Sequence, residues 1–217
     1  MIFGGFDLQW MLFGLPAIII ALTFHEFSHG LAAYLLGDKT AKRDGRLSFN
    51  PIRHIDPVGL IMMLLFRFGW AKPVMVNPYN LKNPKQDMAI ISVAGPLSNF
   101  ILAFITMIIL VFFIHAFGMR GGTAVNNIAT FLSVLVQINV VLGVFNMLPI
   151  PPLDGSKIFG FILPDHLYFR YIGFRYGMFV LMGLVLFGLV GIIMGPFIMA
   201  IINAFYSAAS QIYVFFM

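Results

Sequence analysis

The chain contains no cysteine and, among its 217 residues, a single glutamate. Without cysteine there are no disulfides, no thiolate nucleophile and no thiolate ligand, so any metal must be held by nitrogen and oxygen. Charge is scarce too: 10 % of residues are Asp, Glu, Lys or Arg and 60 % are hydrophobic, whereas about a quarter of the residues of a soluble domain are charged. With a mean hydropathy of +0.96, this is the composition of an integral membrane protein. Its length suits one domain, residues 1–217, in which four or five spans use the whole sequence. The net charge of +5 arises in short loops between apolar runs, with no basic cluster interleaved with aromatics, which argues against nucleic acid as a partner. The N-terminal MIFGGFDLQW carries Asp7 but no basic side chain, so it lacks the n-region of a cleavable signal, and the first span is expected to be retained.

What is present is hydrophobic length. Crossing ~30 Å of hydrocarbon takes about 20 apolar residues, and four runs reach that: residues 9–36, 87–115, 128–148 and 178–195. A further apolar element, 197–217, follows Gly195-Pro196 and reads either as a fifth span or as an interfacial continuation of the fourth. The predicted fold is therefore all-α and polytopic, a bundle of four to five transmembrane helices, six at most. Between the first two spans the apolar run Leu60 to Phe66 is too short to cross and fits a re-entrant or membrane-surface element. The alternation and prolines of KPVMVNP predict a small membrane-associated β element there, an edge strand.

Basic residues orient the bundle, because Lys and Arg favour the cytoplasmic side. Residues 37–87 hold nine of them and residues 149–177 three, against Arg120 alone in the loop 116–127. The N-terminus is thus expected outside, with the segments after the first and third spans in the cytosol.

Against this background FHEFSHG, residues 24–30, is anomalous. It fits H-E-x-x-H, and on a helix the i, i+4 spacing stacks His25 and His29 on one face, where both can reach one metal ion, with Glu26 beside them as candidate general base. In chains of this composition the motif arises by chance roughly 5 times in 10,000, so it is far more informative here than in a charge-rich protein. The plainer alternative, two interhelical histidines and a solvated glutamate, is disfavoured because an ionisable group at mid-membrane costs at least ~2.5 kcal/mol and usually marks function.

A catalytic zinc site takes three protein ligands and leaves one position open. Cys is absent and the one Glu already lies in the motif, so the third ligand must be an Asp or another His. His54, His115 and His166 read as loop or interfacial residues. Asp38, Asp44, Asp56, Asp87 and Asp165 lie in charged loops, where solvated carboxylates are the default. Asp154 differs: within NMLPIPPLDGSKIFGFIL it and Lys157 are the only ionisable groups, and Pro149, Pro151 and Pro152 break the helix before it. Alone it would read as the N-cap of a short helix. The need for an oxygen ligand, and a topology placing it on the same side as His29, favour a metal ligand, provided that the proline-rich segment dips back into the membrane.

Asn146, at the same break, either polarises a substrate carbonyl or makes an interhelical hydrogen bond, and the residues leave both readings open. In SVAGPLSNF the small Ser92, Gly95 and Ser98 permit close helix approach, and Gly191 with Gly195 reads as a packing pair.

HEFSH on the first long span, AGPLSN on the second and NMLPIPPLDG on the third together resemble the site-2 protease family of intramembrane zinc metalloproteases, peptidase family M50, most closely its short members without a PDZ domain. GRLSFNPIRHIDPVG and FGWAKPVMVNP add to the likeness, whereas the C-terminal forty residues match only in being apolar. The resemblance implies one Zn2+ per chain held by His25, His29 and Asp154, with Glu26 activating water, Asn146 assisting at the carbonyl and Asn99 close to this core. It implies a metalloendopeptidase of the cell membrane, active toward the cytosolic side, that cleaves a transmembrane protein substrate. A metal-ion transporter or a non-catalytic zinc-binding membrane protein are the competing readings.

Overall fold

The computed structural model describes residues 10–66, 69–118 and 122–217. The expected start of the first span at residue 9, the N-terminal Asp7 and the loop residue Arg120 lie outside them. Helix α1 (Leu15–Leu35) follows a wider turn, Trp10–Gly14, with Pro16 in its first turn, where a missing N–H costs nothing. It ends at Gly37, whose φ of +108° lies in the left-handed region. Helices α2 (Thr40–Arg43) and α3 (Pro57–Phe66) belong to the segment before the next span. Ten residues of α3 rise only ~15 Å, too short to cross, as expected for a re-entrant or surface element. Helix α4 (Pro84–Phe117) opens on a proline, and Asp87 in its first turn accepts the Asn83 N–H at 2.9 Å. Helix α5 is Thr123–Asn146.

The proline-rich stretch then leads to α6 (Asp154–Ile162), α7 (Asp165–Ile172), α8 (Gly177–Leu186) and α9 (Leu189–Phe216). Four helices are long and apolar enough to span, α1 with its preceding turn, α4, α5 and α9, and five if α7 and α8, bent by 57°, count as one. The multi-pass bundle is therefore as expected, but the fourth span is displaced. Residues 178–195 are interrupted at Gly188, which takes φ +70°, and 189–195 join 197–216 in one helix that runs through Pro196. Membrane helices tolerate such prolines because neighbouring groups satisfy the freed carbonyl.

The core lies where α4, α5 and α9 meet: Ala103, Met107, Leu110 and Val111 pack with Val136, Val140, Val144, Met194 and Ala209. Lipid tails are as apolar as these side chains, so shape and small residues, more than hydrophobicity, hold the helices together. Gly191 and Gly195 do not contribute as expected, since a Cβ at either would meet nothing within 4 Å among the described residues.

The predicted β element is not formed. Among the described residues there is one isolated antiparallel bridge, Ile55 to Ala71, and no strand. Residues 71–77 are instead pinned by other parts of the chain. Lys72 N–H donates to His54 O at 2.9 Å, Val74 N–H to Glu26 at 2.8 Å and Asn77 N–H to Asp38 at 2.8 Å. Asp38 is not the solvated carboxylate expected of a loop. It is fully buried and also accepts from the Thr40 amide, the Thr40 hydroxyl and the Asn80 side chain. Burial would raise its pKa, but these hydrogen bonds prevail and hold it below the usual carboxylate value. Phe49 stacks on Phe27 with centroids 3.9 Å apart, folding the loop back over α1 beside the H-E-x-x-H turn.

Candidate metal centre

His25 sits midway along α1, about 15 Å from either end at 1.5 Å per residue, and His29 one turn further. Their rings are nearly perpendicular, 87° apart. Both are buried in the contact with α4, where Pro96 has no N–H to offer the Ser92 carbonyl and the helix ladder is interrupted. One residue back, the Ile91 carbonyl accepts from His29 Nδ1 at 2.7 Å, and His25 Nδ1 bonds Asn99 Oδ1 at 2.7 Å. With each Nδ1 so engaged, each Nε2 is left to face the other.

Asp154 reaches these nitrogens because the chain doubles back after α5. A Cβ on Gly155 would lie 2.3 Å from the Met147 carbonyl and 2.4 Å from that of Leu148, so only glycine lets the start of α6 press against the end of α5. Asp154 is the first residue of α6, and its oxygens turn to side chains: Oδ2 lies 3.2 Å from His25 Nε2 and 3.0 Å from His29 Nε2, with Lys157 Nζ 3.7 Å from Oδ1. The proline-rich segment thus returns the chain to the bundle, with α6 packed against α4.

The two Nε2 atoms are 3.0 Å apart, completing a buried triangle of electron-rich atoms. Three such atoms in an apolar interior repel one another unless a cation or proton lies among them. Ligands at ~2.0–2.1 Å from a tetrahedral ion sit about 3.3 Å apart, so the triangle has the size and the N2O chemistry of a zinc site. Two neutral imidazoles and one carboxylate leave net positive charge on Zn2+.

Glu26 is half-buried beside this triangle, its Oε2 accepting from Val74 N–H. Asn146, the last residue of α5, donates its amide nitrogen to Leu142 O at 3.0 Å, one turn back on its own helix. His54 is buried, with Nε2 bonded to Ser48 O, while His115 stacks on Tyr213 and His166 is exposed. Two features escaped the sequence reading. Gly95 is more than a small packing residue, because a Cβ there would lie 2.4 Å from His29 Nε2 and 2.7 Å from His25 Cε1. Asn139, fully buried on α5, bonds Asn99. Its signal was available: an amide within a largely apolar run, seven residues or two helical turns before Asn146.

Comparison with known proteins agrees with this geometry. The family model described as peptidase family M50 matches residues 13–184. YwhC of Bacillus subtilis, named as a zinc metalloprotease, is 44 % identical over 160 residues, covering 73 % of each chain. A protein of Methanocaldococcus jannaschii named as a zinc metalloprotease is 30 % identical over 156 residues, 72 % of this chain and 73 % of the relative. Rip2 of Mycobacterium tuberculosis, also so named, is 31 % identical over 146 residues, covering 63 % of this chain and 52 % of the relative. No solved structure matches the chain significantly. With the H-E-x-x-H helix, the returning aspartate and these relatives in agreement, the chain belongs to peptidase family M50, the zinc metalloproteases of the site-2 protease type, and is a multi-pass membrane protein.

Proposed function

We propose that the chain is an intramembrane endopeptidase that hydrolyses a peptide bond in or beside a transmembrane segment of another membrane protein, the cleavage step of regulated intramembrane proteolysis. The observation that carries this reading is the convergence of His25, His29 and Asp154, with Glu26 adjacent, inside a bundle of membrane-spanning helices. In it, His25, His29 and Asp154 are the zinc ligands, one ion per chain. Zinc held there supplies Lewis acidity to the scissile carbonyl and acidifies a bound water toward a pKa of ~7. Glu26 takes the proton of the attacking water and returns it to the leaving amine. Val74 N–H, 2.8 Å from its carboxylate, fixes the orientation of that base. The excess of Lys and Arg after α1 and α5 supports a site facing the cytosol across the cell membrane, with the N-terminus outside.

A transmembrane substrate hides its amides in helical hydrogen bonds and must unwind before attack. Residues 74–76 offer it an extended partner by strand addition. Since Val74 N–H is committed to Glu26, Val76 is the clean probe of this step. Val76→Pro removes one edge N–H without touching the base, and the cleavage rate is expected to fall about tenfold while zinc content is unchanged. An undiminished rate contradicts strand addition. The reading as a whole is tested in cells: membranes carrying Glu26→Gln should accumulate an uncut single-span protein that the unaltered chain removes, and finding none contradicts it.

A further inference from the structure

Two amides, Asn99 on α4 and Asn139 on α5, have no exposed surface at all. Their orientations are fixed by what they touch, because a backbone carbonyl only accepts. Asn139 Nδ2 donates to Leu135 O at 2.8 Å, so its Oδ1 faces Asn99. Asn99 meets two acceptors on one side, Asn139 Oδ1 at 2.9 Å and Ala21 O at 3.1 Å, so that side is its NH2 group. Its Oδ1 is then left for His25 Nδ1 at 2.7 Å, which must carry the hydrogen, and neutral His25 presents a bare Nε2 to the metal position. We propose that Asn139 is a positioning residue of the metal centre: by setting the polarity of the Asn99 amide it selects the ligating tautomer of His25.

His29 needs no such device, because a main-chain carbonyl that cannot flip holds its Nδ1. The proton of His25 depends instead on a side-chain amide that can turn over. A reversed Asn99 would offer NH2 to His25 Nδ1 and drive its proton to Nε2, the atom that faces His29 and Asp154. Asn139 Oδ1 is the nearer of the two acceptors that oppose this reversal. The inference rests on His25 being a zinc ligand, and outer partners of ligating histidines typically change metal affinity 10–100-fold when replaced.

The test uses the full chain in detergent, stripped of metal and titrated with Zn2+ against a competing chelator. Asn139→Leu removes the acceptor and is expected to weaken zinc binding about tenfold. Asn139→Asp still accepts from Asn99 and should hold zinc within about threefold of the unaltered chain, although its buried charge costs fold stability. A packing role alone predicts the reverse order, because a carboxylate disturbs an apolar helix contact more than leucine does. Should Asn139→Asp fail to fold, 15N imidazole shifts of the metal-free chains decide: a larger population protonated at His25 Nε2 is expected in Asn139→Leu than in the unaltered chain, and equal populations overturn the inference. Zinc affinity within about twofold for Asn139→Leu overturns it as well. His29→Ala, measured alongside, separates the two levels. Its loss of zinc sustains the ligand set whatever Asn139 does, and unaltered affinity there overturns the ligand reading itself.

Discussion

Glu26→Gln is expected to abolish proteolysis while leaving zinc bound. The substitution is nearly isosteric, and the new amide oxygen can still accept from Val74 N–H, the bond that ties α1 to residues 71–77 at this point. None of the triangle atoms is touched, so zinc content per chain should equal that of the unaltered protein. What is lost is the ability to take a proton from water. Removing a general base typically costs about 10²–10⁴ in rate, or roughly 3–5 kcal/mol of transition-state stabilisation. Cleavage of a reconstituted single-span substrate in proteoliposomes, with zinc quantified on the same samples, reads both quantities. A rate retained at full zinc occupancy would remove Glu26 from the chemistry, and loss of zinc would mean that it acts as a ligand or a structural support.

Gly95→Ala should disable the centre by a different route, without altering any group that takes part in it. The methyl would be placed 2.4 Å from His29 Nε2 and 2.6 Å from its Cε1, closer than carbon atoms are tolerated, and 2.7 Å from His25 Cε1. The clash is aimed at the mouth of the donor triangle, so either the imidazoles turn away or α4 withdraws from α1. Overpacking of this kind costs about 1–3 kcal/mol of stability, which a bundle with its core between α4, α5 and α9 should survive. Zinc affinity is expected to fall at least about 100-fold, the upper range for disturbing ligand orientation. Gly191→Ala is the control, because among the described residues its Cβ would meet nothing within 4 Å. It should leave zinc affinity unchanged and stabilise α9 by up to ~1 kcal/mol, the helix-propensity difference. Chelator competition and thermal midpoints on the three proteins test this, and near-equal zinc affinity of Gly95→Ala and the unaltered chain would contradict the observed geometry.

Much of this centre was legible in the sequence because two of its donors are local. His25 and His29 need only a helix to share a face, and α1 provides it through an unbroken apolar run. Asp154 is distant, yet scarcity exposed it: with no cysteine and one glutamate, few ligands remained, and the prolines before it signalled a break at depth. The contacts that orient these groups left no comparable trace. Nothing local marks Val74 N–H as the partner of Glu26, since that bond depends on how residues 38–77 are pinned by Asp38. The same holds for Gly95, whose role is set by the depth at which α4 crosses α1. In the fold, spans were readable from hydrophobic length, whereas the fourth was displaced because an apolar run does not reveal that Gly188 takes a left-handed turn and that Pro196 is carried within a helix. KPVMVNP alternates like a strand, but its amides at Lys72, Val74 and Asn77 bond His54, Glu26 and Asp38 in place of a neighbouring strand.

The central claim is that α1 and α6, distant in sequence, jointly hold one zinc ion. Zinc stoichiometry of purified Asp154→Ala against the unaltered chain tests it most directly. One zinc per chain is expected for the unaltered protein and less than about a tenth of that for Asp154→Ala, since two imidazoles alone leave the three-ligand set of a catalytic site incomplete. Full zinc occupancy in Asp154→Ala would contradict the account.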